Sequence, residues 1–382
     1  MFREMSLVLA VVILTQVGGS RRMALGFQGE RPNAGDMTIL HGKYGLHSVA
    51  FSRDGRRLVV GGYDRQQRTR TYPSRIFGAI TLWDLEVAKI IDTKTFGEGP
   101  RLDEIYFAPS GKTVTAYYYD EALTWDPSAN KGVEFHRLPG PLPDFSTSSL
   151  SPACDRVARS TSDGVEVWDL PNKKRVAVLP GKPCNQLAFS PDGRFVAASS
   201  EYDLRAELAR TPADEIGEVD PPQFGFVFGV DRAMDIRYPD GMTIWDLDRS
   251  LARARFRVTR GKVWQVRLSR DARLLAIVQY TKLSTVQLWD GPAGRLLADL
   301  KGHTSDVKRL AFSPANSLLA SAGIGRGGAE VRLWDTSVPR EAGIIRLDGW
   351  DHVEAIAFSY DGKMLAVGRR DDVIAIIKVG GS

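Results

Sequence analysis

One dipeptide returns along this chain at nearly constant spacing. Trp-Asp stands at Trp83, Trp125, Trp168, Trp245, Trp289 and Trp334, in steps of 42 to 45 residues with a single step of 77. Each pair closes a short apolar run, such as Ile80-Thr81-Leu82 or Val331-Arg332-Leu333. A second element precedes the pairs: Phe51-Ser52, Phe107-Ala108, Leu150-Ser151, Phe189-Ser190, Leu268-Ser269, Phe312-Ser313 and Phe358-Ser359. Five residues before each of these comes an apolar residue: Leu46, Leu102, Phe145, Cys184, Val263, Val307 and Val353. Seven such elements against six Trp-Asp pairs place the missing pair at Ile377-Lys378. A period of this size marks a repeat architecture, in which each unit buries its apolar face only against its neighbours.

The repeats read as strands. After each first element comes a turn such as Ser52-Arg53-Asp54-Gly55, Ser190-Pro191-Asp192-Gly193 or Ser359-Tyr360-Asp361-Gly362. Asp and Gly accept the left-handed geometry of tight turns. The apolar runs that follow, Leu58-Val59-Val60 and Met364-Leu365-Ala366-Val367 among them, are then return strands of an antiparallel sheet. These residues resemble the WD40 family from about Met37 to Val379. The resemblance implies an all-β fold: a seven-bladed β-propeller of four-stranded antiparallel blades.

A ring of this kind needs its last sheet completed, because an open edge leaves backbone groups unpaired. Fourth strands here often end in Leu-x-Gly, as in Leu300-Lys301-Gly302 and Leu347-Asp348-Gly349, and Met37-Thr38-Ile39-Leu40-His41-Gly42 carries the same ending before any first strand. This segment is expected to pair with Val373 to Val379 and close the circle. The resemblance also implies a buried set of His, Ser or Thr, Asp and Trp in each blade. His303, Ser321 and Trp334 match it in the sixth unit, where Gly328 occupies the Asp position; Ser160, Asp163 and Trp168 match it in the third.

Residues 1–26 read as a leader, 27–36 as a linker, and 37–379 as the propeller. Arg3, the apolar run Leu7 to Leu14 and the small residues Gly18, Gly19 and Ser20 match an export signal. Cleavage after Gly19 or Gly26 would give a periplasmic or extracellular protein; uncleaved, residues 6–17 would anchor it, though the run is short for a membrane span.

Composition narrows the function classes. The 51 basic residues are set against 46 acidic ones, a net charge of +5 spread along the chain. Nucleic-acid binders concentrate such charge in one stripe, so a nucleic-acid partner is not expected. Gly111-Lys112-Thr113 has the end of a phosphate loop, but Tyr106 stands where its first Gly is needed. Neither His-Glu-x-x-His nor Gly-x-Ser-x-Gly occurs. Cys154 and Cys184 fall at opposite ends of their strands, out of disulfide reach. No catalytic residue, metal site or cofactor is expected.

The departures from the repeat are insertions between second and third strands, on the face where first strands begin. The segment 64–77 carries Arg65, Arg68, Arg70 and Arg75 against one acid. The segment 201–240 carries ten acids against four arginines, and in it Phe224, Phe226 and Phe228 alternate as in a strand, with packing the favoured role. By resemblance, the residue four before each repeat Phe or Leu faces the channel mouth: His47, Asp103, Ser146, Asn185, Trp264, Lys308 and Glu354. Trp264 and Trp350 are the two tryptophans outside the Trp-Asp pairs. A Trp among charges suits an anchor for a peptide, since such residues dominate interface energies. The expectation is a non-catalytic scaffold for a protein or peptide partner. The alternative is a propeller hydrolase or lyase using Asp103 and Glu354 on a small or sugar-like substrate, which would need converging acids with separated pKa values.

Overall fold

Alternation along each strand sets the architecture, because successive side chains point to opposite faces of a sheet and here both faces are apolar. The computed structural model describes residues 37–64, 77–98, 102, 104–118, 121–129, 132–137, 147–201, 240–258, 262–280, 285–325 and 327–379, together with the backbone of 15–17 and 20–23. These form seven antiparallel sheets and, among the described residues, no helix. The blades run over 45–98, 104–137, 148–180, 184–257, 262–300 and 307–348. The seventh combines 355–378 with Met37–His41.

Seven apolar clusters hold the ring, each between two adjacent blades. Ile80 and Leu82 of blade one meet Leu102 and Trp125 of blade two. Tyr117 of blade two meets Leu150 and Trp168 of blade three. The pattern repeats around to Leu46, Phe51 and Trp83 of blade one, which pack on Ala366, Ile374 and Ile376 of blade seven. The Trp of each Trp-Asp pair therefore faces the preceding blade. In blade seven Ile377 holds that place, paired with Leu365 and packed toward blade six, so the repeat lacking Trp-Asp keeps the packing role with a smaller side chain.

The Asp of the pair has a separate task. Asp84 accepts backbone N–H bonds from Glu86 and Val87 at 2.9 and 3.2 Å, and Asp126 does the same for Ser128 at 2.8 Å. An Asp side chain that bonds its own backbone two residues on fixes a tight turn. The Ser of five first turns acts likewise: Ser52, Ser151, Ser190, Ser269 and Ser359 accept the backbone N–H five residues later, each at 2.9 Å.

Met37–His41 closes the ring as expected, paired with Val373–Lys378 in the register Met37↔Ile377 to His41↔Val373. Its alternation clamps both neighbours: Met37 and Ile39 pack toward blade six, Leu40 toward blade one. The seventh sheet, however, has six strands, not four. Thr15–Val17 and Ser20–Met23 form a hairpin whose second strand pairs with Met37 and Thr38. The backbone edge that Met37–His41 would otherwise present is thereby partly covered.

The buried polar sets differ from expectation in two blades. In the sixth, His303 Nε2 lies 2.7 Å from Ser321 Oγ, which accepts the Trp334 indole N–H at 2.8 Å. Glu330, two residues beyond Gly328, supplies the carboxylate: it stands 3.2 Å from His303 Nδ1, off the hydrogen-bond direction, and accepts from Arg332 Nε at 3.0 Å. In the third, the Ser160, Asp163 and Trp168 set does not assemble. The Trp168 indole donates to Glu166 at 3.0 Å, Arg159 donates to the same carboxylate at 2.8 Å, and Ser160 Oγ accepts the backbone N–H of Cys184 at 2.8 Å. Glu166 sits two residues before Trp168 on the same strand, hence on the same face, which puts it in reach before any loop residue.

Cys154 and Cys184 are free. Burial pushes their thiols up to about 12 and about 11, so both stay protonated and unreactive.

Candidate functional site

The first strands of the seven blades surround an axial channel of about 780 Å³. What faces it depends on a local irregularity. In blades one, four, five and six the pairing register shifts between the fifth and third residues before the repeat Phe or Leu: Leu46/Ser48, Cys184/Gln186, Val263/Gln265 and Val307/Arg309. The residue left out of the ladder is His47, Asn185, Trp264 or Lys308. A bulge of this kind re-aims a side chain, and here it turns the intervening residue away from the sheet plane at the channel's upper end.

Three of those four line the channel: His47, Trp264 and Lys308. Trp264 keeps 40% of its surface exposed, which is unusual for a Trp in a protein whose other tryptophans are buried. Asn185 is exposed but does not line the channel; its carbonyl accepts a bond from Thr147 Oγ1 at 3.1 Å. Asp103, Ser146 and the insertion residues Arg65, Arg68, Arg70, Arg75, Phe224, Phe226 and Phe228 lie outside the described residues. The strands that carry the insertions are described, with Asp64 paired to Phe77 and Glu201 to Asp240. Both insertions therefore leave their blades at the end of the ring where the first strands begin.

Three expected anchors take other roles. Trp350 is 7% exposed and packs between blades six and seven, with the Arg369 guanidinium 5.3 Å from its ring. The turn through Gly349, at φ 75°, and the bond from Ala329 N–H to the Trp350 carbonyl fold it into the core, so it is no part of an open face. His47 and Glu354 are buried against each other, Nδ1 to Oε1 2.9 Å, with His47 stacked on Tyr63 at 5.1 Å. Arg309 reaches the same carboxylate at 3.3 Å and donates to the Glu354 backbone carbonyl. This trio ties blades one, six and seven together at the channel rim.

Below the rim the wall is polar and uneven. Glu104 accepts from Ser149 Oγ at 3.2 Å and from the Leu150 N–H. Burial, with the neighbouring Glu104 carboxylate second, raises the Tyr106 phenol, which stays neutral. Gln265 is 7% exposed, lines the channel, and has an amide oxygen with no hydrogen-bond partner among the described residues. Arg267 donates to the Val266 carbonyl at 2.9 Å. At the lower mouth stand Arg53, Arg270, Asp192 and Tyr360, with Arg53 5.6 Å from the Tyr360 ring.

Reading outward from the bulged positions alone leaves out Glu104, Gln265, Arg267 and Arg309. Arg267 had a signal in the sequence: it stands one before the repeat Leu, where four other repeats carry Ala50, Ala188, Ala311 and Ala357. Chemically the channel offers charge, hydrogen bonds and one exposed indole. Among the described residues no group of His, Cys, Asp and Glu is placed to hold a metal ion. Of the two acids considered for a hydrolase or lyase, Glu354 is engaged by His47 and Arg309, and Asp103 is not among the described residues.

Comparison with known proteins agrees with this architecture. The family model for the WD domain, G-beta repeat, matches residues 37–66, 173–204, 294–335 and 344–378. The chain is 26% identical over 337 residues to apoptotic protease-activating factor 1 of Rattus norvegicus, covering 84% of this chain and 25% of that protein. It is 31% identical over 93 residues to the target of rapamycin complex subunit wat1 of Schizosaccharomyces pombe, 24% of this chain and 28% of that one. With THO complex subunit 3 of Arabidopsis thaliana the identity is 36% over 100 residues, 25% and 30% of the two chains. The chain thus spans less than a third of the length of each of these relatives.

Proposed function

We propose that this chain, a WD40-repeat protein folded as a seven-bladed propeller, is a non-catalytic scaffold that holds a protein or peptide partner at the upper mouth of its channel. The carrying observation is Trp264, set on a β-bulge and 40% exposed beside Lys308. A large aromatic kept partly in water at the centre of a concave face is the type of residue that anchors an interface. Relatives named as complex subunits support the reading. The two insertions spring from the same end of the ring and would extend the platform around the mouth. The apolar stretch Leu7 to Leu14 supports export of the chain, with the partner outside the cytoplasm.

The test is affinity capture with the full chain, wild type against Trp264→Ala. Truncating a central Trp is expected to weaken the partner by about 2 kcal/mol or more, roughly thirtyfold. Equal recovery of the same partners by both proteins would remove the mouth from consideration. N-terminal sequencing of the secreted protein addresses export: a start at Ser20 or Phe27, which would take one or both strands of the Thr15–Val17 and Ser20–Met23 hairpin off the seventh sheet, is expected, and retention of Met1 on a cell-associated chain would overturn it.

A further inference from the structure

The channel wall is charged unequally. Among the described residues its lining includes the cations Arg53, Arg267, Arg270, Lys308 and Arg309 and two carboxylates, Glu104 and Asp192. Each of those acids is held by wall donors, Glu104 by Ser149 and Leu150, Asp192 by Ser190 and the Arg194 backbone N–H. Arg309 is matched by Glu354. Arg267 and Lys308 differ: among the described residues neither forms an ion pair, and the Arg267 guanidinium donates to the carbonyl of its own neighbour, Val266. The two sit on adjacent blades, one a few residues below Trp264 on the same strand, the other at the equivalent bulge next door.

The geometry points to a partner segment rich in carboxylates, an acidic peptide whose side chains enter the channel against the wall of blades five and six. The inference rests on the binding-platform reading above and names the chemistry of what the platform takes. Three features converge on it. A cation set in a concave wall, where field lines are focused, attracts an anion more strongly than one on an open surface. Arg267 keeps most of its fork of donors for a carboxylate, which matches that geometry in two bonds. Trp264 and the Gln265 amide, lining the same sector, give a peptide apolar surface and backbone partners that a bare anion would not use. A basic peptide is disfavoured by the same wall, since at Arg267 and Lys308 it would meet like charge.

The full chain is titrated by fluorescence anisotropy with three labelled peptides of alternating composition: Glu-Gly, Gln-Gly and Lys-Gly. The Glu peptide is expected to bind at least about tenfold more tightly than its Gln isostere, with an affinity that falls as salt rises. Arg267→Gln with Lys308→Gln should bring the Glu peptide to the Gln level. Arg267→Glu with Lys308→Glu should turn the preference toward the Lys peptide, a gain that misfolding does not imitate. Indistinguishable Glu and Gln affinities in the wild type would overturn the proposal without recourse to any variant. So would inorganic pyrophosphate binding tightly while none of the peptides does, which marks a small-anion site instead. The two readings fail separately: if partner capture still depends on Trp264 but the Glu preference is absent, only the acidic-peptide inference falls. Capture indifferent to Trp264 removes the platform beneath it.

Discussion

Gly111 holds φ at 68° in the turn after the first strand of blade two, and a methyl group added there would meet nothing within 4 Å. Gly111→Ala therefore isolates the backbone cost of the left-handed region, about 1 kcal/mol, readable as a lowered denaturant midpoint at unchanged m. In blades three and five the same turn position is held by Cys154 at 62° and Ala272 at 52°, so the geometry is imposed by the Ser-capped turn even where no Gly relieves it. His303 gives a second residue-level outcome. Burial, then the nearby Arg332, lowers it to about 3, against an ordinary value of 6.5. The unfolded chain takes up the proton first, so the stability tied to neutral His303 is complete above pH 6.5. It falls as the pH drops toward 3, by up to about 1.4 kcal/mol per pH unit. Urea unfolding of wild type and His303→Gln between pH 7.5 and 4.5 should show the gap between them narrowing on acidification; a constant gap contradicts it. His303, Ser321 and Trp334 were legible through the family resemblance, whereas Glu330 was not. The carboxylate arrives from two residues further along the strand, and a motif fixed to Gly328 passes over it.

Strand identity and pairing were largely readable from the turns and the apolar runs, because the first-strand element recurs seven times and three of the turns that follow it are Ser-x-Asp-Gly. The closing strand was readable too: Met37–His41 ends as fourth strands do, and pairs as they do. Leu40 is 2% exposed and faces blade one, so Leu40→Ala should cost 2 to 5 kcal/mol, roughly the range for a core leucine. A loss under about 1 kcal/mol would mean that the strand is dispensable. The hairpin of Thr15–Val17 and Ser20–Met23 was not legible. A short apolar run beside small residues reads as a leader, and nothing local announces a pairing with Met37 and Thr38. The channel site was half legible: resemblance found the bulged positions, but exposure is decided by what lies behind each side chain. Trp264 stays partly open, while Trp350 is drawn into the contact between blades six and seven.

At the scale of the molecule, seven inter-blade clusters of similar make-up mean that no blade has a free face while the circle is shut. Removing residues 37–42 should both lower the melting temperature sharply and broaden the transition, as blades seven and six lose a shared layer and fraying starts there; an unchanged, equally sharp melt would refute this. The shared sheet also joins two segments far apart in the sequence, Met37 lying opposite Ile377. During synthesis at ~5–20 residues per second, the first strand of that pair waits roughly 17–70 s for its mate to be made. Until the seventh blade has been made, six blades stand as an arc with two sticky ends, so the risk of aggregation is greatest in the interval between the closing strand and its mate.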